Sequence, residues 1–134
     1  MDFSYLKNLI YICETMKKKI LVIENDEDIC QIISHILSEE GYDTVLCKTE
    51  HGIFDIILSN KPDVILLDII KPTEQGTELC RAIKALETTR HIPVIVLSTH
   101  VKIEDTKQIC ADAVIKKPFD ISELIHLVKE QLVA

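Results

Sequence analysis

Pro62-Asp63-Val64-Ile65-Leu66-Leu67-Asp68 is the stretch that decides the fold. Its four aliphatic residues show no polar alternation. They predict a strand over Val64–Leu67 that is buried on both faces. Asp68 ends the run, and an ionised carboxylate beside such a strand needs a neutralising partner. Taken alone, it reads as a helix-capping aspartate. Three other runs share this character: Ile20–Ile23, Pro93–Leu97 and Ala113–Ile115. A fifth, Tyr42–Cys47, is weaker and more amphipathic, which suits a sheet edge.

Helical spacing lies between the runs. Ile29, Ile32, Ile33, Ile36 and Leu37 recur as one stripe of an amphipathic helix, and Gly41 is a natural stop after it. Ile53, Phe54, Ile56 and Ile57 mark a second helix from about Thr49 to Asn60. Leu79, Ile83 and Leu86 mark a third. Ile121, Leu124, Ile125 and Val128 mark a last one, opened by Asp120 with Glu123 three residues on, in the manner of a capping box. Val101–Cys110 has poor periodicity and reads as a short helix. Strict alternation of strand and helix predicts an α/β domain, a doubly wound parallel sheet with helices on both faces. Five strands suit the flavodoxin-like order 2-1-3-4-5, in which ligands bind outside the carboxyl ends of the strands.

The 134 residues are about one domain's worth, long enough to bury a core without a disulfide or metal. A net charge of -7 argues against direct nucleic-acid partners and against anionic membrane surfaces, which need basic patches. No apolar run is long enough to span a membrane, and the start lacks the basic end of a signal peptide. Cysteines at 13, 30, 47, 80 and 110 show no zinc or redox spacing. They read as small buried thiols of a reduced, cytoplasmic protein.

The strand ends carry the chemistry. Glu24-Asn25-Asp26-Glu27 follows the first strand, Asp68 the third, Ser98 the fourth and Lys116-Lys117 the fifth. Carboxylates converging on one crevice repel unless a divalent cation joins them, and oxygen ligands suit Mg²⁺. A lysine adds a fixed cation and a serine a hydroxyl donor. Together these make a phosphoryl site in which one carboxylate serves as nucleophile.

On these residues the chain resembles the receiver domain of two-component response regulators, from about Lys17 onward. Lys19–Ile29 is similar to the family's first strand and acidic loop. Pro62–Gly76 is similar to its phosphoacceptor strand with the Asp-x-x-x-Pro-x-x-x-Gly loop. Ile92–Thr99 is similar to its hydroxyl-bearing strand, and Lys117-Pro118-Phe119 to its lysine loop. The resemblance implies that Asp68 accepts the phosphoryl group. It implies that Glu24, Asn25, Asp68 and the Ile70 backbone carbonyl hold Mg²⁺ (or Mn²⁺). It further implies that Ser98 is the switch hydroxyl, that Lys117 pairs with Asp68 and then with the phosphate, and that the bond before Pro118 is cis. The implied function is phosphorelay signalling, with a sensor histidine kinase or phosphotransfer protein as donor and a downstream protein as target. Such a domain is a phosphoacceptor switch that assists its own transfer, and not an enzyme in the ordinary sense.

Departures from the family pattern are visible too. Asn25 replaces an aspartate that ordinarily meets the metal, so the site loses one charge, although Asp26 could compensate by turning inward. Val114 stands where the family has Tyr or Phe, which puts coupling between Ser98 and the surface of the fifth strand in doubt. The stretch from Ser98 to Lys117 is also short by about one helical turn. These departures motivate a rival reading, a degenerate receiver that binds proteins without phosphorylation. His100 and Ile70 occupy positions that face the phosphoryl group in the family, although His100 alone reads as a solvated loop residue. Residues 1–15 lie outside the resemblance, the receiver taking up 16–134. Phe3, Leu6, Ile10 and Cys13 suit one helix stripe. That extension reads as a packing or homodimer-forming helix, or as an artefact of start-codon choice. With the last helix reaching the end of the sequence, the expectation is a stand-alone receiver.

Overall fold

The structure, a computed structural model, describes residues 3–15, 17–68, 74–99 and 110–133; helix residues 10–15 and 74–77 are described by their backbone alone. The elements run α1 (Ser4–Thr15), β1 (Lys19–Ile23), α2 (Glu27–Glu39), β2 (Asp43–Cys47), α3 (Ile53–Asn60), β3 (Val64–Asp68), α4 (Glu74–Ala85), β4 (Val94–Ser98), β5 (Ala113–Lys116) and α5 (Ile121–Val133). The helix expected over Val101–Cys110 lies almost wholly outside the described residues.

The five strands form one parallel sheet in the order β2-β1-β3-β4-β5. The aliphatic runs dictate this. β1, β3 and β4 are the central strands, and Leu21, Leu66 and Ile95 have no exposed surface. Because side chains alternate across a strand, each run feeds two cores. Leu21, Ile65 and Val94 meet Ile57 of α3 and Ile83 of α4 on one face. Ile20, Leu66 and Ile95 meet Leu37 of α2 and Val128 of α5 on the other. The more polar β2 takes an edge, as its amphipathic sequence predicts.

Helix ends follow local chemistry. The Asp26 carboxylate accepts from the Ile29 N–H at 3.1 Å and caps α2. Gly41, at φ 89°, turns the chain out of that helix, and the Tyr42 N–H reaches back to the Leu37 carbonyl at 3.1 Å. Asp120 accepts from the Ser122 N–H at 3.0 Å at the start of α5.

Three expectations are corrected. The buried stripe of α2 is Cys30, Ile33 and Leu37, while Ile32 is 57% exposed. α3 begins at Ile53 and not near Thr49, because the Thr49 hydroxyl accepts from the His51 N–H and Gly52 sits in the left-handed region at φ 71°. Leu86 lies past the end of α4 and is exposed.

The cysteine reading holds for Cys30 and Cys47, which are buried thiols. It fails for Cys80 and Cys110, which are joined by a disulfide across a sequence separation of 30 with Cα atoms 5.7 Å apart. Nothing in local spacing signals that pair; the packing of α4 against the entry to β5 creates it.

α1 is helical, but Phe3, Tyr5, Leu6 and Leu9 all face outward. A chain beginning at Met16 is therefore expected to melt cooperatively and close to the full chain, since the sheet begins only at Lys19. Thermal unfolding followed by circular dichroism checks this; loss of a cooperative transition would place α1 in the core.

Candidate functional site

The acidic loop, β3 and β5 all end at the carboxyl edge of the sheet. β1 delivers Glu24 there, with its N–H fixed to the Cys47 carbonyl at 2.9 Å. β3 delivers Asp68 and β5 delivers Lys117. The side chains of Glu24 and Asp68 are only 2% and 6% exposed, and that of Lys117 is 15% exposed. Two carboxylates this deep need a counter-charge, and Lys117 provides it. Its Nζ lies 2.6 Å from Asp68 Oδ1 and 3.1 Å from Glu24 Oε2. The remaining Glu24 oxygen, Oε1, accepts from the Asp26 N–H at 3.1 Å.

Burial pushes the Glu24 carboxyl above the usual range, and the Asp68 charge adds to it, while the Asp26 N–H and the Lys117 ammonium oppose. Burial works to lower Lys117, but its hydrogen bonds and charge attraction to Asp68 and Glu24 outweigh that and hold it above the usual lysine value.

Glu24, Asn25, Asp68, Thr99 and Lys117, with Asp26 and Ile29, line one cleft of about 270 Å³. The structure thus brings together Glu24, Asn25, Asp68 and Lys117. Ser98 ends β4 beside them, buried, with its carbonyl accepting from the Lys117 N–H at 2.8 Å. The hydroxyl-bearing residue that lines the cleft is its neighbour Thr99, a position to which the sequence reading gave no role. The Lys117–Pro118 bond is cis. The Ile70 carbonyl and His100 lie outside the described residues. Val114 is half-buried against the core shared with α4.

Oxygen donors from two carboxylates and an amide fit a hard divalent cation such as Mg²⁺. Among the described residues, no three His, Cys, Asp or Glu side chains gather as a metal cluster. Two details explain this. Position 25 is an amide, and one oxygen of the Asp26 carboxylate, at the wall of the same cleft, accepts from the Ile29 N–H and caps α2.

A sequence model of the response regulator receiver domain matches residues 20–129. The chain belongs to that family. Among solved structures, it is similar to the signal receiver domain of a signal transduction histidine kinase from Syntrophus aciditrophicus, at 30% identity and TM-score 0.77 over 87% of this chain and 90% of that one. It is also similar to a CheY-like response regulator receiver domain protein from Methanospirillum hungatei, at 27% identity and TM-score 0.76 over 87% and 94%. The receiver domain of a sensor histidine kinase from Pseudomonas aeruginosa, at 24% identity and TM-score 0.77 over 88% and 99%, carries a magnesium ion coordinated in its active-site cleft. Among the described residues, no helix is long and apolar enough to cross a membrane.

Proposed function

We propose that this receiver takes a phosphoryl group on Asp68 from a phosphohistidine of a sensor histidine kinase or phosphotransfer protein. One observation carries the reading: Asp68 ends a fully buried strand with its carboxylate fixed 2.6 Å from Lys117 in an open cleft. An Asp68 oxygen attacks phosphorus in line, the O–P bond forms as the N–P bond breaks, and the imidazole keeps the electron pair and takes a proton. Lys117 then trades its contact with Glu24 for phosphoryl oxygens, so its charge follows the group being transferred. Glu24, Asp68 and Asn25 would hold Mg²⁺, which when bound supplies positive charge to the phosphoryl oxygens. Ser98 and Thr99 supply hydroxyls at the end of β4. The domain is a phosphoacceptor switch that promotes its own transfer, and its output is a changed protein-binding surface.

Intact mass after incubation with acetyl phosphate and Mg²⁺ tests this. Gain of one phosphoryl group in the native protein and none in Asp68→Asn is the expected result. Gain that persists in Asp68→Asn would move the acceptor elsewhere. No gain in either protein would favour the second reading, a degenerate receiver that binds protein without phosphorylation. The amide at position 25 is the observation behind that reading.

A further inference from the structure

Cys80 and Cys110 play no part in the phosphoryl site, yet the surrounding structure is arranged around them. Cys80 lies on α4, and Lys84 follows it by four residues, on the same helix face. Opposite, Cys110 precedes Asp112 by two residues at the entry to β5. The two rows meet twice. The cysteines are bonded with Cα atoms 5.7 Å apart, inside the range a disulfide allows without moving the backbone. Lys84 Nζ lies 2.6 Å from Asp112 Oδ2. Each ion-pair partner is itself held. Lys84 donates to the Ile92 carbonyl at 2.8 Å, and Asp112 Oδ2 accepts from the Val94 N–H at 2.8 Å. The register of α4 against β5 is therefore fixed by contacts that do not need the sulfur bond. When the bond is open, the same contacts keep the thiols within reach of each other, which raises their effective concentration.

Burial of the two residues differs. Cys80 is fully buried, while Cys110 is half-buried at the edge of the same cluster. A small disulfide in solution can reach Cys110 first, leaving Cys80 to resolve.

We propose that Cys80 and Cys110 form a reversible thiol–disulfide modification site, pre-aligned by the Lys84–Asp112 pair, with Cys110 the exchanging sulfur and a glutathione-class disulfide the oxidant. The Cys110 thiolate attacks oxidised glutathione, giving a mixed disulfide and one glutathione thiolate. The Cys80 thiolate then attacks the Cys110 sulfur and expels the second. Two protein thiols lose two protons and two electrons, and one glutathione disulfide becomes two glutathiones. The bond ties the helix that follows Asp68 to the strand that leads to Lys117, so thiol state is a second input to the domain. The site does not depend on phosphoryl acceptance.

The full chain is equilibrated in glutathione buffers running from strongly reducing to strongly oxidising, trapped with an alkylating reagent and mapped by peptide mass. The Cys80–Cys110 bond is expected to pass from absent to complete within the series, with Cys30 and Cys47 alkylated only after unfolding. Cys80→Ala is expected to take glutathione on Cys110, and Cys110→Ala to take none on Cys80. Asp112→Asn, checked for cooperative melting, is expected to lower the disulfide-to-dithiol ratio several-fold at each buffer. A pair that stays reduced throughout, or oxidised throughout, would overturn the reversible site. Glutathione appearing on Cys80 as readily as on Cys110 would overturn the order of attack. An unchanged ratio in Asp112→Asn would overturn the alignment.

Discussion

Lys117→Met is expected to lower the unfolding free energy by about 3 kcal/mol at neutral pH without divalent metal, a drop of about 10 °C in melting temperature. The size follows from burial. Removing one partner of a buried pair leaves an uncompensated charge and costs roughly 3–5 kcal/mol. Here two carboxylates, 2% and 6% exposed, would lose one shared cation. The low end applies because the cleft is open to water. The pH dependence separates this from lost packing. Lys117 is held above its usual value in the folded state, so its contribution is complete below about pH 10 and fades as pH rises through the folded value. Native and variant proteins should therefore converge at high pH. In acid they should converge again, because Glu24, already raised by burial, takes up a proton more readily in the folded state and stability recovers as pH falls. Millimolar Mg²⁺ should also restore much of the loss, by supplying positive charge to the same oxygens. Melting across pH and Mg²⁺ checks all three. A deficit that ignores both would mean that the lysine stem, and not its charge, matters.

Asn25→Asp is expected to tighten Mg²⁺ binding about tenfold. Affinity at an oxygen site rises with ligand charge. Position 25 is exposed, so the added attraction is weaker than a buried pair would give, on the order of 1–2 kcal/mol. Without metal the new carboxylate repels Glu24 and Asp68, and stability should fall by about 1 kcal/mol. Saturating Mg²⁺ should reverse the sign, because a ligand that binds only the native state stabilises it. Mg²⁺ titration of the melting temperature for both proteins decides the matter. Equal shifts would remove position 25 from the metal.

The sheet was legible in the sequence because its signal is redundant. Four short aliphatic runs with no polar alternation read as strands, three of them the fully buried centre of the sheet and the fourth the edge strand β5, and their alternation with helices points to a parallel order. The convergence of Glu24, Asp68 and Lys117 followed from topology, since all three end strands at one edge. Finer features depended on packing that no local pattern encodes. Periodicity could not tell Ile32 from Cys30, because either completes a stripe with Ile33 and Leu37, and a small thiol carries little apolar weight. Cys80 and Cys110 lie far apart in sequence, and their meeting depends on the register of α4 against β5. The amide at position 25 was readable as a lost charge; that Asp26 caps α2 at the wall of the same cleft depended on local geometry.

The Lys117–Glu24 contact spans 93 positions of sequence. Nothing local holds those two groups together, and between their strands stand β3 and β4. The site therefore exists only when β1, β3, β4 and β5 are all in register, which requires closing long stretches of chain. During synthesis the N-terminal part emerges first, with Glu24 and Asp68 exposed to water long before Lys117 is made. A half-made chain therefore holds Glu24 and Asp68 without the ammonium that pairs them. The charge-paired cleft thus arrives only with the last strand.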